Sequence, residues 1–301
     1  MTVLTRAGYV ALLGRPNVGK STLLNRLIGQ KISITAPKPQ TTRHVILGIQ
    51  TLPEAQIVYV DTPGLHRQGR RAMNRYLNRA AASVLGYVDV AVFLIEALRW
   101  TEEDEDVLQR LAVFPGPVAL AVNKVDRIAD KARLLPFLRD MAGRRVFADV
   151  VPLSALKGDN VATLERAIAR LLPVGDFPFP ADQVTTASER FLAAELVREK
   201  LTRLLREELP YALTVAIERF AEEERLTRIH ALIWVERASQ KGIVIGEKGA
   251  MLREVGRQAR QDLERLLGRP VFLETWVKVR EGWSDDERAL RSLGYADPAS
   301  P

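Results

Sequence analysis

Between residues 7 and 172, short apolar runs alternate with stretches in which apolar residues recur at helical spacing. The runs have the length of β-strands, and the stretches between them have the length of helices. This alternation predicts an α/β fold with a doubly wound, mostly parallel sheet. The predicted strands are Tyr9–Leu13, His44–Thr51, Ala55–Asp61, Asp89–Ile95, Val118–Asn123 and Val146–Pro152, and the predicted helices lie near 21–29, 71–86, 103–113, 130–142 and 160–172.

One connection in this region is too short to contain a helix. Leu52-Pro53-Glu54 alone separates the second predicted strand from the third. A connection of this length joins antiparallel strands as a hairpin, whereas parallel strands need a long crossover. We therefore expect one antiparallel strand at the edge of the sheet.

The composition changes at residues 173–182. This segment contains three prolines and a glycine and directly follows a predicted helix, which is typical of an interdomain linker. We predict a first domain at 1–172, a linker at 173–185 and a second domain at 186–301.

The second domain has a smaller α+β pattern. Thr186-Ala-Ser-Glu189 predicts a capping box that opens a long helix, which Pro210 stops near Leu209. Ser284-Asp-Asp-Glu287 predicts the cap of a short last helix that ends at Gly294. Between them we predict the strands Ala212–Phe220, Arg228–Arg237 and Val271–Val279, a glycine-rich stretch at 242–249 and a helix over Ala250–Leu267.

The composition excludes several classes of protein. The chain has no cysteine, so it cannot be a disulfide scaffold, a thiolate enzyme or a cysteine-ligated zinc protein, and a reducing, cytoplasmic setting is expected. Its three histidines are scattered, which argues against a histidine-built metal site. The apolar runs are shorter than the roughly 18 residues of a membrane-spanning helix.

Positive charge is concentrated in one part of the second domain. The whole chain carries a net charge of +7, and residues 225–280 hold 12 Lys and Arg against 6 Asp and Glu. A basic region of this kind indicates a local polyanion site, although a solvated helix face would look the same by charge alone. A second basic cluster comprises Arg67, Arg70, Arg71, Arg75 and Arg79.

The octapeptide from Gly14 to Ser21 fits Gly-x-x-x-x-Gly-Lys-Ser and lies between a predicted strand and a predicted helix. Backbone N–H groups of such a loop surround a di- or triphosphate, with Lys20 on the β/γ-phosphates and the Ser21 hydroxyl on Mg²⁺. The alternative is an ordinary glycine-rich turn. The predicted nucleotide contacts here are Gly14, Arg15, Pro16, Asn17, Val18, Gly19, Lys20, Ser21 and Thr22.

A guanine site is indicated by Asn123-Lys124-Val125-Asp126, which follows a predicted strand at the sheet edge where ligands bind. The Asp126 carboxylate can accept hydrogen bonds from both N1–H and N2–H of guanine, a donor pair that adenine lacks. The backbone N–H of Ala155, within Ser154-Ala155-Leu156, can reach guanine O6.

A metal and γ-phosphate site is indicated by Asp61-Thr62-Pro63-Gly64, which also ends a strand. Asp61 can hold Mg²⁺ through a water, and the Gly64 N–H can contact the γ-phosphate. A hydroxyl near residue 42 can also ligate Mg²⁺; we favour Thr42, with Thr41 as the alternative. The predicted metal ligands are Ser21, Thr42 and Asp61, and the predicted catalytic residues are Lys20, Thr42 and Gly64.

These motifs resemble the translation-factor-like GTPases, and most closely the Era family of bacterial GTPases with a C-terminal RNA-binding domain. Gln40-Thr-Thr-Arg-His44 and Asp61-Thr-Pro-Gly-Leu65 fit that pattern. The resemblance implies GTP hydrolysis with Mg²⁺, binding near the 3′ end of 16S ribosomal RNA, assistance to 30S subunit assembly and a monomeric protein. It also implies peripheral contact with the inner membrane face.

The same resemblance implies slow hydrolysis. Leu65 stands where many GTPases have a glutamine, so the attacking water would be held by backbone, by His66 or by a partner. In related GTPases with an asparagine at the position of Asn17, a K⁺ ion can add positive charge, which makes K⁺ a candidate cofactor.

The second domain resembles a type II KH domain. Gly246-Glu247-Lys248-Gly249 precedes a helix that carries Arg253, Arg257 and Arg260, and the glycines would let a single-stranded RNA backbone approach closely. Trp234 and Trp276 alternate with apolar neighbours and are expected in the core. The alternatives are a plain α+β domain, a second domain that docks on protein or membrane, and an RNA-binding module with a vestigial nucleotide site.

Overall fold

Two β-sheets organise the chain, each with helices and a core of its own. The computed structural model describes residues 4–64, 72–205 and 209–295. We call the part built on the six-stranded sheet the first domain and the part built on the three-stranded sheet the second domain.

The six-stranded sheet has the order β2-β3-β1-β4-β5-β6. Its neighbouring strands run parallel except for β2, which is antiparallel to β3. The α/β fold and its antiparallel edge strand are therefore confirmed. The strands are β1 Arg6–Leu13, β2 Ile46–Thr51, β3 Ala55–Asp61, β4 Val90–Glu96, β5 Val118–Asn123 and β6 Asp149–Pro152, and the helices are α1 Lys20–Ile28, α2 Ala72–Val84, α3 Glu102–Leu111, α4 Leu134–Ala142 and α5 Val161–Leu171.

Both faces of this sheet are buried, which explains the continuous apolar runs in the sequence. In β1, Val10 and Leu12 belong to one core cluster, whereas Ala11 and Leu13 belong to the cluster on the opposite face. Because β1, β3 and β5 run in the same direction, their carboxyl ends lie at one edge of the sheet. The predicted nucleotide motifs begin at this edge.

The segment predicted as a linker lies along the first domain. Ala7 N donates to Pro173 O at 3.1 Å, and Ile49 N donates to Val184 O at 2.9 Å. The Thr185 hydroxyl also donates to Leu47 O at 2.6 Å. Residues 173–185 thus run from the start of β1 to the edge strand β2.

The second domain has the order of elements expected for a type II KH domain. In its sheet, β8 lies between β7 and β9, antiparallel to the first and parallel to the second. Residues of α6, α7 and α8 form a core with one face of this sheet. The elements are α6 Glu189–Leu204, β7 Leu213–Glu222, β8 Thr227–Val235, α7 Ala238–Ile245, α8 Ala250–Leu267, β9 Val271–Val279 and α9 Glu287–Ser292.

Two predicted helix caps are wrong. The cap of α6 is Ser188, whose hydroxyl accepts from Phe191 N at 3.2 Å, and not Thr186. Similarly, Asp286 caps α9, while the Ser284 hydroxyl donates to Glu236. Each cap lies two residues later than predicted because a second side-chain oxygen in the same motif occupies the capping position.

The prediction for Trp234 and Trp276 is also wrong. Their alternation places them on one face of β8 and β9, but helices cover the opposite face. Trp276 is 37% exposed, and Lys278 Nζ lies 5.9 Å from the centre of the Trp234 ring. The fully buried tryptophan is Trp283, which follows the sheet.

Trp283 contributes to a core that joins the domains. It belongs to a cluster in which α2 of the first domain packs against the C-terminal residues. The members are Ala72, Met73, Tyr76, Leu77, Ala80, Trp283, Ala289, Leu290 and Tyr295. None of the helices within the described ranges has the length and apolar composition needed to cross a bilayer.

We expect Trp283→Ala to lower the free energy of unfolding by about 3–5 kcal/mol, because it leaves a cavity in this core. Trp276→Ala is the matched control and should cost about 1 kcal/mol, since its ring lies on the open sheet face. Urea unfolding followed by circular dichroism measures both, and equal losses would contradict the placement of the two rings.

Candidate nucleotide and RNA sites

A cleft of about 460 Å³ opens at the carboxyl edge of the six-stranded sheet. The predicted nucleotide residues that line it are Pro16, Asn17, Gly19, Lys20, Ser21, Thr22, Thr42, Gly64, Asn123, Lys124, Asp126, Ala155 and Leu156. The other predicted ones within the described ranges are buried: Gly14, Arg15, Val18, Asp61, Thr62, Pro63, Val125 and Ser154. Leu65 and His66 lie outside the described residues.

The glycines of the 14–21 loop are required by neighbouring protein atoms. A Cβ at Gly14 would lie 2.4 Å from Leu94 O, and a Cβ at Gly19 would lie 2.4 Å from Asn123 Nδ2. Gly19 also has a φ of +108°, which other residues rarely adopt. The loop can therefore approach β4 and β5 closely, and Pro16, Asn17, Gly19, Lys20 and Ser21 line the cleft.

Lys20 lies at the bottom of the cleft with its ammonium group buried. Its Nζ donates to Gly14 O at 2.9 Å and to Arg15 O at 3.2 Å. Burial lowers the pKa of Lys20 to about 8, against the opposing effect of the Asp61 charge. This ammonium can exchange its carbonyl partners for phosphate oxygens, which would pair its charge.

The three predicted metal ligands converge. Ser21 Oγ lies 2.7 Å from Asp61 Oδ2 and 2.8 Å from Thr42 Oγ1. The Thr41 hydroxyl instead donates to Lys38 O at 2.6 Å, so the geometry favours Thr42 over Thr41.

Asp61 fits a role in holding a hard cation. Its side chain is buried, and its Oδ1 has no hydrogen-bond partner among the described residues. Burial also raises the pKa of this carboxyl. Hydroxyl and carboxylate oxygens suit Mg²⁺, which usually takes one or two carboxylates together with substrate phosphates. In the described part of the chain, no group of three or more His, Cys, Asp or Glu forms a separate metal site.

Asn123 connects the three segments of the predicted base site. Its Nδ2 donates to Val18 O at 2.7 Å, and its Oδ1 accepts from Lys124 N at 2.7 Å and Ala155 N at 2.9 Å. The Ala155 N–H predicted to face guanine O6 is thus engaged by Asn123 in this structure. Asp126 is exposed at the cleft and accepts from Ser154 Oγ at 2.6 Å.

The glycines of the 246–249 loop have different surroundings. Gly246 has a φ of +74°, and an added Cβ would lie 2.7 Å from Met251 Cβ. At Gly249, an added Cβ would meet no described atom within 4 Å. Gly246 therefore allows the loop to pack on α8, while Gly249 leaves backbone accessible to a ligand.

The cations around this loop also differ. Lys248 and Arg253 are exposed, whereas Arg257 donates to both carboxylate oxygens of Glu254, at 2.9 and 2.6 Å. These hydrogen bonds lower the pKa of Glu254 to about 2. Lys248 and Arg253 are better placed than Arg257 to contact phosphate, because Arg257 would have to leave Glu254.

Comparison with known proteins agrees with both domains. The family model for 50S ribosome-binding GTPases matches residues 9–124, and the KH domain model matches residues 208–284. GTPase Era of Azotobacter vinelandii is 57% identical over 292 residues, which cover 97% of each chain. GTPase Era of Pseudomonas aeruginosa is 57% identical over 293 residues, covering 97% of this chain and 96% of that protein.

The chain belongs to the Era family of GTPases.

Solved Era structures share the whole architecture. Era in complex with MgGDPNP and nucleotides 1506–1542 of 16S ribosomal RNA has a TM-score of 0.94 and 41% identity, covering 97% of this chain and 99% of that one. An Aquifex aeolicus Era variant bound to GDP and AlF4⁻ has a TM-score of 0.92 and 40% identity, covering 97% and 100%.

Two residues at this Era-family site, Glu96 and Arg203, were not predicted from the sequence. The predicted contact Arg15 directs its side chain to Glu96 at 2.8 Å and Asp104 at 3.1 Å, and Lys124 Nζ lies 3.1 Å from the same Glu96. Glu96 has a signal, since it ends an apolar strand just as Asp61 does. Arg203 of α6 also lines the cleft, and nothing in the sequence near it indicates this.

We expect Gly19→Ala to weaken binding of a fluorescent GDP analogue about tenfold or more, because its Cβ would displace Asn123 and strain the backbone. Gly29→Ala is the control: its φ is +73°, but no described atom lies within 4 Å of its added Cβ. This control should keep its GDP affinity within about twofold despite similar backbone strain. A Gly19→Ala variant with normal affinity would contradict the role of the Asn123 brace.

Proposed function

We propose that this Era-family protein is a GTP-hydrolysing switch that binds single-stranded ribosomal RNA through its 246–249 loop. The convergence of Ser21, Thr42 and Asp61 beside Lys20 is the observation that carries the nucleotide part. The RNA part is supported by the open space beside Gly249, by the exposed Lys248 and by the solved relative that contains 16S ribosomal RNA.

Within the nucleotide site, each residue has a defined role in the proposal. The Ser21 and Thr42 hydroxyls and the Asp61 carboxylate would hold Mg²⁺, which would supply positive charge to the phosphates of the nucleotide. Lys20 pairs with the same phosphates, and the Gly64 N–H donates to the γ-phosphate. Asp126 selects guanine by accepting from the ring N1–H and from the exocyclic N2–H of the base.

Catalysis in this proposal is slow and depends mainly on positioning. Lys20, Thr42 and Gly64 hold the γ-phosphate, and backbone groups or a partner orient the attacking water. Asn17 lines the cleft, with its Nδ2 3.4 Å from Pro37 O. K⁺ at Asn17 remains a prediction from the resemblance.

The proposed RNA is the region near the 3′ end of 16S ribosomal RNA, and the proposed process is assembly of the 30S subunit. The solved Era complex with nucleotides 1506–1542 supports this choice. Gly246, Glu247, Lys248 and Gly249 would contact the RNA backbone, with Arg253 adding positive charge. A monomeric state, a cytoplasmic location and peripheral contact with the inner membrane face remain expectations from the sequence.

Asp126→Asn tests the base assignment. The change removes an anionic acceptor for guanine, so GDP affinity should fall by about tenfold to a hundredfold, which corresponds to one charge-assisted hydrogen bond. Xanthosine diphosphate, which carries an oxygen in place of the exocyclic amine, should bind the variant more tightly than the wild type. Competition binding measures both, and an unchanged preference for guanine would refute the assignment.

Lys248→Glu tests the RNA assignment. Reversing one charge at the loop should weaken binding of a single-stranded 16S 3′-end oligonucleotide about tenfold and reduce the salt dependence of binding. Arg110→Glu, an exposed charge reversal on α3, is the matched control and should leave RNA affinity unchanged. If both variants bind RNA like the wild type, the loop is not the RNA site, and docking on protein or membrane becomes the better hypothesis.

A further inference from the structure

Residues 41–44 connect the metal site to the second domain. The Thr42 hydroxyl faces Ser21, whereas its neighbours contact the other domain. Thr41 O accepts from Arg198 Nη2 at 2.5 Å, and the His44 ring stacks on Tyr295 with centroids 4.6 Å apart. The residue that follows Thr42 makes the most extensive of these contacts.

Arg43 inserts its guanidinium group into the second domain. Its side chain is 1% exposed. Its Nη1 donates to Leu213 O at 2.7 Å, and its Nη2 donates to Pro210 O at 2.8 Å and Tyr211 O at 3.3 Å. These three carbonyls lie in the turn before β7 and at its first residue, so one side chain fixes residue 43 against the beginning of the second sheet.

The type of contact matters because backbone carbonyls cannot move independently of the domain that contains them. A planar guanidinium with several N–H groups can hold two or three carbonyls at once, whereas a lysine ammonium acts as a single point charge. Thr42 and Arg43 are consecutive residues whose side chains meet different domains. A shift of β7 relative to the first domain must therefore displace residue 43, change the Arg43 side-chain conformation or break its hydrogen bonds, and a displacement of residue 43 moves its neighbour Thr42.

Other contacts attach the preceding loop to α6 and do not reach Thr42. Glu199 Oε1 accepts from Thr35 N at 2.9 Å, and Arg203 Nε donates to Thr35 O at 2.8 Å. Lys31 Nζ pairs with Glu199 and with Asp262 at 3.0 Å. These contacts hold residues 31–35, whereas Arg43 is itself the residue next to the proposed metal ligand Thr42.

We propose that Arg43 is a positioning residue that sets the Thr42 hydroxyl at the Mg²⁺ site according to the position of the RNA-binding domain. The inference rests on the proposed function in that Thr42 ligates Mg²⁺. Because coupling between two binding sites is reciprocal, the same side chain transmits nucleotide state to RNA affinity.

The test uses the full-length variants Arg43→Met, Arg43→Gln and Arg43→Lys. We measure the Mg²⁺ concentration for half-maximal GTP hydrolysis, and the ratio of RNA affinities with a non-hydrolysable GTP analogue and with GDP. Arg43→Met should raise the half-maximal Mg²⁺ concentration about tenfold and bring the affinity ratio close to one. Arg43→Lys should fall between Arg43→Met and the wild type, because it can keep one carbonyl contact.

Arg145→Met is the matched control. Arg145 also donates from a terminal nitrogen to a backbone carbonyl, Leu111 O at 2.7 Å, but both residues lie in the first domain. Its Nε, like that of Arg43, is buried with no partner among the described residues. This variant also removes a partly buried carbonyl contact, and it should leave the Mg²⁺ requirement and the RNA affinity ratio unchanged.

Thr42→Ala separates failure of this inference from failure of the proposed function. If Thr42→Ala leaves the Mg²⁺ requirement unchanged, Thr42 is not the ligand and the proposed site is wrong. If Thr42→Ala raises the requirement while folded Arg43→Gln and Arg43→Lys match the wild type in both measurements, Arg43 does not position Thr42. Circular dichroism identifies the folded variants, and Arg43→Lys keeps the test decisive if Arg43→Met does not fold.

Discussion

Helix α6 is buried on both of its sides, and this constraint determines how the two domains meet. Its apolar residues pack on the three-stranded sheet, and its charged residues Glu195, Arg198 and Glu199 are buried as well. Buried charges are tolerated when they are paired, and breaking such a pair costs about 3–5 kcal/mol. The interface therefore depends on all its partners being in place at once.

As a result, residues of both domains shape the nucleotide cleft. Thr35, which lines the cleft, is held by Glu199 and Arg203. Glu195 in turn pairs with Arg198 at 2.6 Å, and the burial of this pair is offset by the mutual attraction that lowers the pKa of Glu195. Partial separation of the loop from α6 would leave buried charges unpaired. The loop therefore has few conformations between the attached state and the fully separated state.

The sequence predicts the first domain well because its parallel strands are buried on both faces and the motifs follow directly at their ends. Asp61, Asn123 and Gly14 could be found in this way. The contacts of Arg43 and Arg203 could not, because a charged residue whose partner is distant in the sequence looks like any solvated one until that partner is known. Alternation places Trp234 and Trp276 each on one face of its own strand, but it cannot tell which face the helices cover.

The segment at 173–185 has a second consequence for the first domain. Strand β2 is the edge of the six-stranded sheet, and an uncovered edge presents backbone groups that can pair with another chain. Thr185 forms an antiparallel bridge with Gly48, and Val184 O accepts from Ile49 N. The connector between the domains thus shields this edge from association with a second molecule, so its length and sequence influence solubility as well as domain geometry.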